Sequence, residues 1–266
     1  MTNCPVIDVQ DFHKSYRGTP AVHGISFRVA PGQITGVIGP NGAGKSTTMR
    51  TLSGIIPPTH GSLTVAGYNV ETHPVQVKQR LAYVPDDPRL FPHLTVDDHL
   101  AFTAAAYQVS EPEQKALRLL EQFELSDQRR TAAKDLSRGM RQKLAICCAY
   151  LYDPVVLLFD EPLTGLDPNG IRTLKQSILD RAAEGAGVLI SSHLLAMVED
   201  ICEQILLLDR GKQLFCGTTG QLHRQFGDRQ HQTSLEQIFF AATGSRTAPG
   251  PTKRESEEEP ECLPSC

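Results

Sequence analysis

Gly39 to Thr47 read GPNGAGKST. The pattern is G-x-x-x-x-G-K-[ST], a spacing at which a glycine-rich backbone can wrap a phosphate. Glycines let the N–H groups of the loop point inward, and a helix N-terminus behind them adds partial positive charge. Lys45 then reaches the outer phosphates and Ser46 offers its hydroxyl to Mg²⁺. Gly39, Pro40, Asn41, Gly42, Ala43, Gly44 and Thr47 complete the loop. Further along, VVLLFDEP places Asp160 and Glu161 just after an apolar run. An acid there can hold Mg²⁺, through water for Asp160, and its neighbour Glu161 can orient or deprotonate an attacking water. A third group, His193, follows GVLISS. Alone it reads as a structural histidine; beside the other two motifs it is placed to touch a terminal phosphate.

These side chains need strands that end at one edge of a sheet. QITGVIG, before the glycine loop, is apolar and β-branched as a buried parallel strand is, and KSTTMRTLSG after it reads as a helix stopping at Gly54. VVLLF and GVLISS read as two more buried strands, whose carboxyl ends are where open α/β sheets bind ligands. LLAMVEDICEQ is helix-like, and QILLLDRGKQLFCG reads as a hairpin turning at Asp209–Lys212. VIDVQDF and ISFRVA give an antiparallel β portion near the start. Helical patterns fill the stretch from about 88 to 153, and TSLEQIFFAATG reads as a last short helix. The fold class expected is α/β, a P-loop core joined to an antiparallel β portion and a helical insertion.

Of the 266 residues 40% are hydrophobic and 21% charged, which suits a globular chain with a substantial core. A formal net charge of −4 gives no basic field for nucleic acid, so no nucleic-acid partner is expected. The N-terminus shows no apolar signal region, and no run approaches the roughly 18 apolar residues of a membrane span. Seven cysteines without a CxxC pair read as free, buried thiols in a reducing compartment. The terminal CLPSC is not a prenylation box, since Leu263 stands fourth from the end. From Gly244 the chain is dominated by proline, serine and glutamate, with an acidic cluster at Glu257–Glu259, and is expected to be a disordered tail (244–266) after a folded domain of residues 1–243. His13, His60, His73, His93 and His99 are expected at surface or satisfied positions.

Together the motifs resemble the nucleotide-binding subunit of an ABC transporter, the ATP-binding cassette family. The likeness runs from about Val6 to Gly217, with GPNGAGKST as Walker A, VVLLFDEP as Walker B, GLDP as the D-loop and His193 as the switch histidine. It implies ATP and Mg²⁺ as ligands, with Tyr16 stacking on adenine. Tyr16 by itself reads as a strand residue, and stacking needs only a π face. LSRGM (136–140) falls at the family's signature loop, usually LSGGQ. Ser137 then matches the phosphate-touching serine and also reads as a helix N-cap. Gly139 matches the glycine where the backbone comes closest to nucleotide. Arg138 replaces the first glycine, as in ABC-2-type exporters, with its side chain either turned away from phosphate or adding charge beside it.

Asp86 departs further from the pattern. The family has glutamine there, or glutamate in exporter-like members, approaching Mg²⁺. Aspartate is one methylene shorter, so a water-bridged contact is expected, with Asp87 as the alternative if the register slips. The mechanism implied is shared-site hydrolysis in a homodimer. Walker A of one chain meets Ser137 and Gly139 of the other across Mg-ATP. Glu161 acts on water, His193 steadies the terminal phosphate and Asp167 links the two sites. Integral membrane subunits would carry the cargo path, with this chain at the cytoplasmic face of the membrane. The rival readings are a soluble regulatory or assembly ATPase on the same cassette, and a non-hydrolysing binding module.

Overall fold

The computed structural model describes residues 4–226 and 234–243. The chain opens with the hairpin β1 (Ile7–Tyr16) and β2 (Thr19–Val29), then β3 (Ile34–Ile38), the glycine loop and α1 (Lys45–Leu52). β4 (His60–Val65), β5 (Tyr68–Asn69), α2 (Pro74–Lys78) and β6 (Leu81–Val84) follow. Next come α3 (Val96–Tyr107), α4 (Pro112–Gln122) and α5 (Arg138–Tyr150), all within 88–153. The remainder is β7 (Val156–Asp160), α6 (Pro168–Ala183), β8 (Gly187–Ser191), α7 (Leu195–Ile201), β9 (Gln204–Asp209), β10 (Lys212–Thr218), α8 (Thr219–Phe226) and α9 (Leu235–Thr243).

Two sheets result. The antiparallel one has the order β2-β1-β4-β5, and the second has the order β10-β9-β3-β8-β7-β6. From β9 to β6 the second sheet is parallel, and β10 closes it as an antiparallel edge. The central strands β3, β7 and β8 are buried along their whole length, as their unbroken apolar runs require. Alternate residues serve opposite faces. Ile38, Leu157, Phe159, Val188, Ile190 and Leu207 join a cluster with Leu120, Leu144 and Tyr150 from α4 and α5. Val37, Val156, Leu158, Leu189 and Leu206 meet Ile7, Phe12, Ile25 and Leu63 of the antiparallel sheet. The α3–α5 helices therefore share a core with the parallel sheet.

Helix starts follow their caps. Thr95 and Asp98 form a reciprocal capping box on α3, and Ser137 caps α5 by accepting from the Met140 N–H at 3.2 Å. α7 is shorter than LLAMVEDICEQ suggests, because Cys202 is already extended (φ −95°, ψ 123°) and leads into β9. Asp160 is the last residue of β7, whereas Val155 lies before it and is exposed. Among the described cysteines all are free: Cys147 and Cys202 are buried and Cys148 partly so, but Cys4 and Cys216 are exposed, against the expectation of burial. His99 is buried and satisfied, its Nε2 accepting from the Phe91 N–H at 3.0 Å and its Nδ1 2.8 Å from the Thr95 carbonyl. Among the described residues no helix is long and apolar enough to cross a membrane. The tail expected from Gly244 lies outside the described residues.

Candidate nucleotide site

β3 delivers the chain to the glycine loop, and α1 leaves it. Gly44, the residue before α1, has φ 102°, a left-handed backbone that a side chain would strain. That turn brings Lys45 back beneath the loop, where Nζ donates to the carbonyls of Gly39 at 2.7 Å and Pro40 at 3.3 Å. Burial pulls the Lys45 pKa down, while the charges of Glu161 and Asp160 act to hold it up. A partly desolvated ammonium held this way gains most from an anion that completes its surroundings.

The end of β7 faces this loop. Asp160 is only 3% exposed, and its carboxylate is gripped by three hydroxyls. Oδ1 accepts from Ser46 Oγ at 3.1 Å and Ser191 Oγ at 2.8 Å, and Oδ2 accepts from Tyr83 Oη at 3.2 Å. Burial and the neighbouring carboxylate push the Tyr83 phenol up to about 12, so it remains a donor. Glu161, the next residue, sits at φ 51°. Such a backbone in a non-glycine residue costs about 1–3 kcal/mol and persists where surrounding bonds over-determine it. Here the Glu161 N–H donates to the carbonyl (3.1 Å) and Oγ (3.0 Å) of Ser191. Glu161 Oε2 accepts from both the backbone N–H (3.1 Å) and Nδ1 (2.7 Å) of His193. The carboxylate can only accept, so Nδ1 carries the proton. Two motifs that sequence spacing treats separately thus meet as an acid–histidine pair.

The donor set suits a hard divalent cation brought in with a phosphate. Ser46 Oγ and Asp160 Oδ1 are adjacent oxygens from α1 and β7. Among the described residues no cluster of three or more His, Cys, Asp or Glu side chains could hold a metal alone. Mg²⁺ is commonly bound in this fashion, by one or two protein oxygens with substrate phosphates completing its shell.

The remaining expected residues are placed as follows. Tyr16 ends β1 as a residue 44% exposed, with Lys14 Nζ 5.3 Å from its ring centroid. Asp167 caps α6, accepting from the Gly170 N–H at 3.2 Å, with Lys143 Nζ at 3.6 Å. Gly139 lies in the first turn of α5, and a Cβ there would stand 2.5 Å from the Gly165 carbonyl oxygen. The close approach that excludes a side chain is therefore made by this chain's own GLDP loop. Asp86 is engaged by Arg138, whose Nη2 is 3.2 Å from its Oδ1. Arg138 thereby turns toward the loop after β6.

Sequence spacing missed Tyr83 and Ser191. A tyrosine inside the otherwise aliphatic β6 was a usable signal, since a part-buried phenol needs a partner. The hydroxyls closing β8 were another.

The sequence model of the ABC transporter family matches residues 22–164. The ABC-type transporter ATP-binding protein EcsA of Bacillus subtilis is 35% identical over 240 residues, covering 90% of this chain and 96% of that protein. The Nod factor export ATP-binding protein I of Burkholderia pseudomallei is 34% identical over 218 residues, 81% of this chain and 72% of that protein. A solved structure of the ATP-binding subunit of an ABC transporter superposes with a TM-score of 0.85 at 34% identity, covering 89% of this chain and 99% of that one. With the glycine loop, the Asp160–Ser46 pair and the Glu161–His193 pair on one sheet edge, the chain belongs to the ABC transporter family as an ATP-binding subunit.

Proposed function

We propose that this subunit hydrolyses ATP to drive export through separate integral membrane subunits, working as a homodimer at the cytoplasmic face of the membrane. The observation that carries the hydrolytic reading is the Glu161–His193 pair beside Asp160 and Ser46. Gly39–Thr47 bind the phosphates through loop N–H groups, with Lys45 neutralising them. Ser46 and Asp160 hold Mg²⁺, which when bound offsets phosphate charge. Tyr83 and Ser191 orient Asp160. Glu161 accepts a proton from the attacking water, and its Oε2 is kept in place by His193. Once Nδ1 serves Glu161, Nε2 donates to a phosphate oxygen only as imidazolium. The exposed face of Tyr16 supports stacking on adenine. In the dimer Ser137 and Gly139 face the partner's nucleotide and Asp167 lies near the boundary between sites.

Export is supported by the basic residue at position 138 and by similarity to the Nod factor export ATP-binding protein I. The test is a gentle detergent pull-down of the tagged chain from its native cells. A polytopic membrane protein in stoichiometric amount supports the transporter reading; soluble partners alone, or none across several detergents, overturn it for a regulatory ATPase.

A further inference from the structure

Two residues that depart from the family pattern, Asp86 and Arg138, touch each other. Arg138 Nη2 lies 3.2 Å from Asp86 Oδ1, and both side chains are about half exposed. One turn further along α5, Gln142 is buried and donates Nε2 to the Pro85 carbonyl at 3.4 Å. Residues four apart lie on one helix face, so a single face of α5 holds two consecutive residues of the loop after β6. The stem of Arg138 is held as well. Its Cγ and Cδ lie 3.3 and 3.2 Å from where a Cβ on Gly165 would stand, so the arginine lies across the GLDP loop. The arginine thus reaches from the first turn of α5 past Gly165 to Asp86.

The charge balance gives this contact a purpose. Asp160 and Glu161 already place two carboxylates at the edge where phosphates bind. A third unpaired carboxylate on the adjoining loop would oppose an anionic ligand. We infer that Asp86 and Arg138 form one neutral positioning unit, which ties the loop after β6 to α5 and the GLDP loop. On this view Asp86 serves Arg138 and not the metal. The inference rests on the ATPase reading above for its functional consequence, though not for the contact itself.

The test compares R138Q, D86N and D86N/R138Q, with R138K as a variant that keeps the charge. Two quantities are read: the KM for ATP with the Mg²⁺ dependence of turnover, and the affinity for a fluorescent ribose-labelled ATP. R138Q is expected to raise KM and weaken binding about fivefold, the upper range for a half-exposed pair. Adding D86N removes the stranded charge and restores both, and D86N alone leaves the Mg²⁺ half-saturation where it was. R138K stays near the parent chain, and thermal melting shows that each variant is folded. The inference is overturned if the losses of the two single changes multiply in the double. It is also overturned if D86N shifts the Mg²⁺ half-saturation whatever stands at position 138. Failure of the ATPase reading looks different: the parent chain binds the labelled ATP without turnover, and the binding arm still decides the pair.

Discussion

Gly139→Ala separates two explanations for the signature glycine by the sign of a stability change. Gly139 lies in the first turn of α5, outside the left-handed region. Helix propensity alone would make alanine more stable by up to about 1 kcal/mol. If the glycine were needed only because a nucleotide from a partner approaches it, the ATP-free subunit would gain that much or lose nothing. The structure predicts the opposite. The added Cβ would stand 2.5 Å from the Gly165 carbonyl oxygen, a backbone atom. An ordinary C···O contact is about 3.3–3.6 Å, so α5 or the GLDP loop must yield by close to 1 Å. Overpacking of this kind costs about 1–3 kcal/mol. Because the atom to be moved is backbone, the upper part of that range applies, about 2–3 kcal/mol; set against the propensity gain, the net is a loss of about 1–2 kcal/mol, or a Tm lower by about 2–8 °C for a chain of this size. A displacement near 1 Å in a loop of the site can also lower turnover about 10²-fold. The assay is thermal melting without nucleotide, followed by steady-state ATP hydrolysis. An unchanged or higher Tm in the ATP-free variant refutes the intrachain explanation, whatever happens to turnover.

Glu161→Gln should cut turnover about 10²–10⁴-fold, the contribution of a positioned base, while ATP binding persists; full hydrolysis by this variant would remove Glu161 from the mechanism. Tyr83→Phe deletes the donor to Asp160 Oδ2 and leaves the ring packed. Partners of this kind are worth about 10–100-fold in metal affinity, so the Mg²⁺ half-saturation of turnover should rise by at least the lower figure, and an unchanged titration would end the positioning role. Ser137→Ala removes the cap on α5 and should cost the ATP-free subunit about 1 kcal/mol, seen as a lower melting temperature; an unaltered melt would leave Ser137 with a role toward nucleotide alone.

What the sequence made legible is what local pattern encodes. The glycine loop, the strands ending in Asp160 and Ser191, and the β9–β10 hairpin each declare themselves within a short stretch of chain, through unbroken apolar runs and turn residues. The contacts that organise the site span long separations: Tyr83 to Asp160 across 77 residues, Arg138 to Asp86 across 52, Ser191 to Asp160 across 31. No periodicity reports such a pairing. It depends on β6 lying beside β7, and β7 beside β8, strands that the chain separates by α3–α5 and by α6. Gly139 shows the difference most sharply, because its type was readable and its neighbour was not. The same helix start carries Ser137 as cap, Gly139 against the Gly165 carbonyl, and Arg138 lying over Gly165 with its head on Asp86. Two loops therefore converge on one turn of α5. Arg138 joins the loop after β6 to the neighbourhood of Gly165, two residues before the Asp167 that caps α6. Contact between these segments is thus built into the single chain, whatever a second subunit adds.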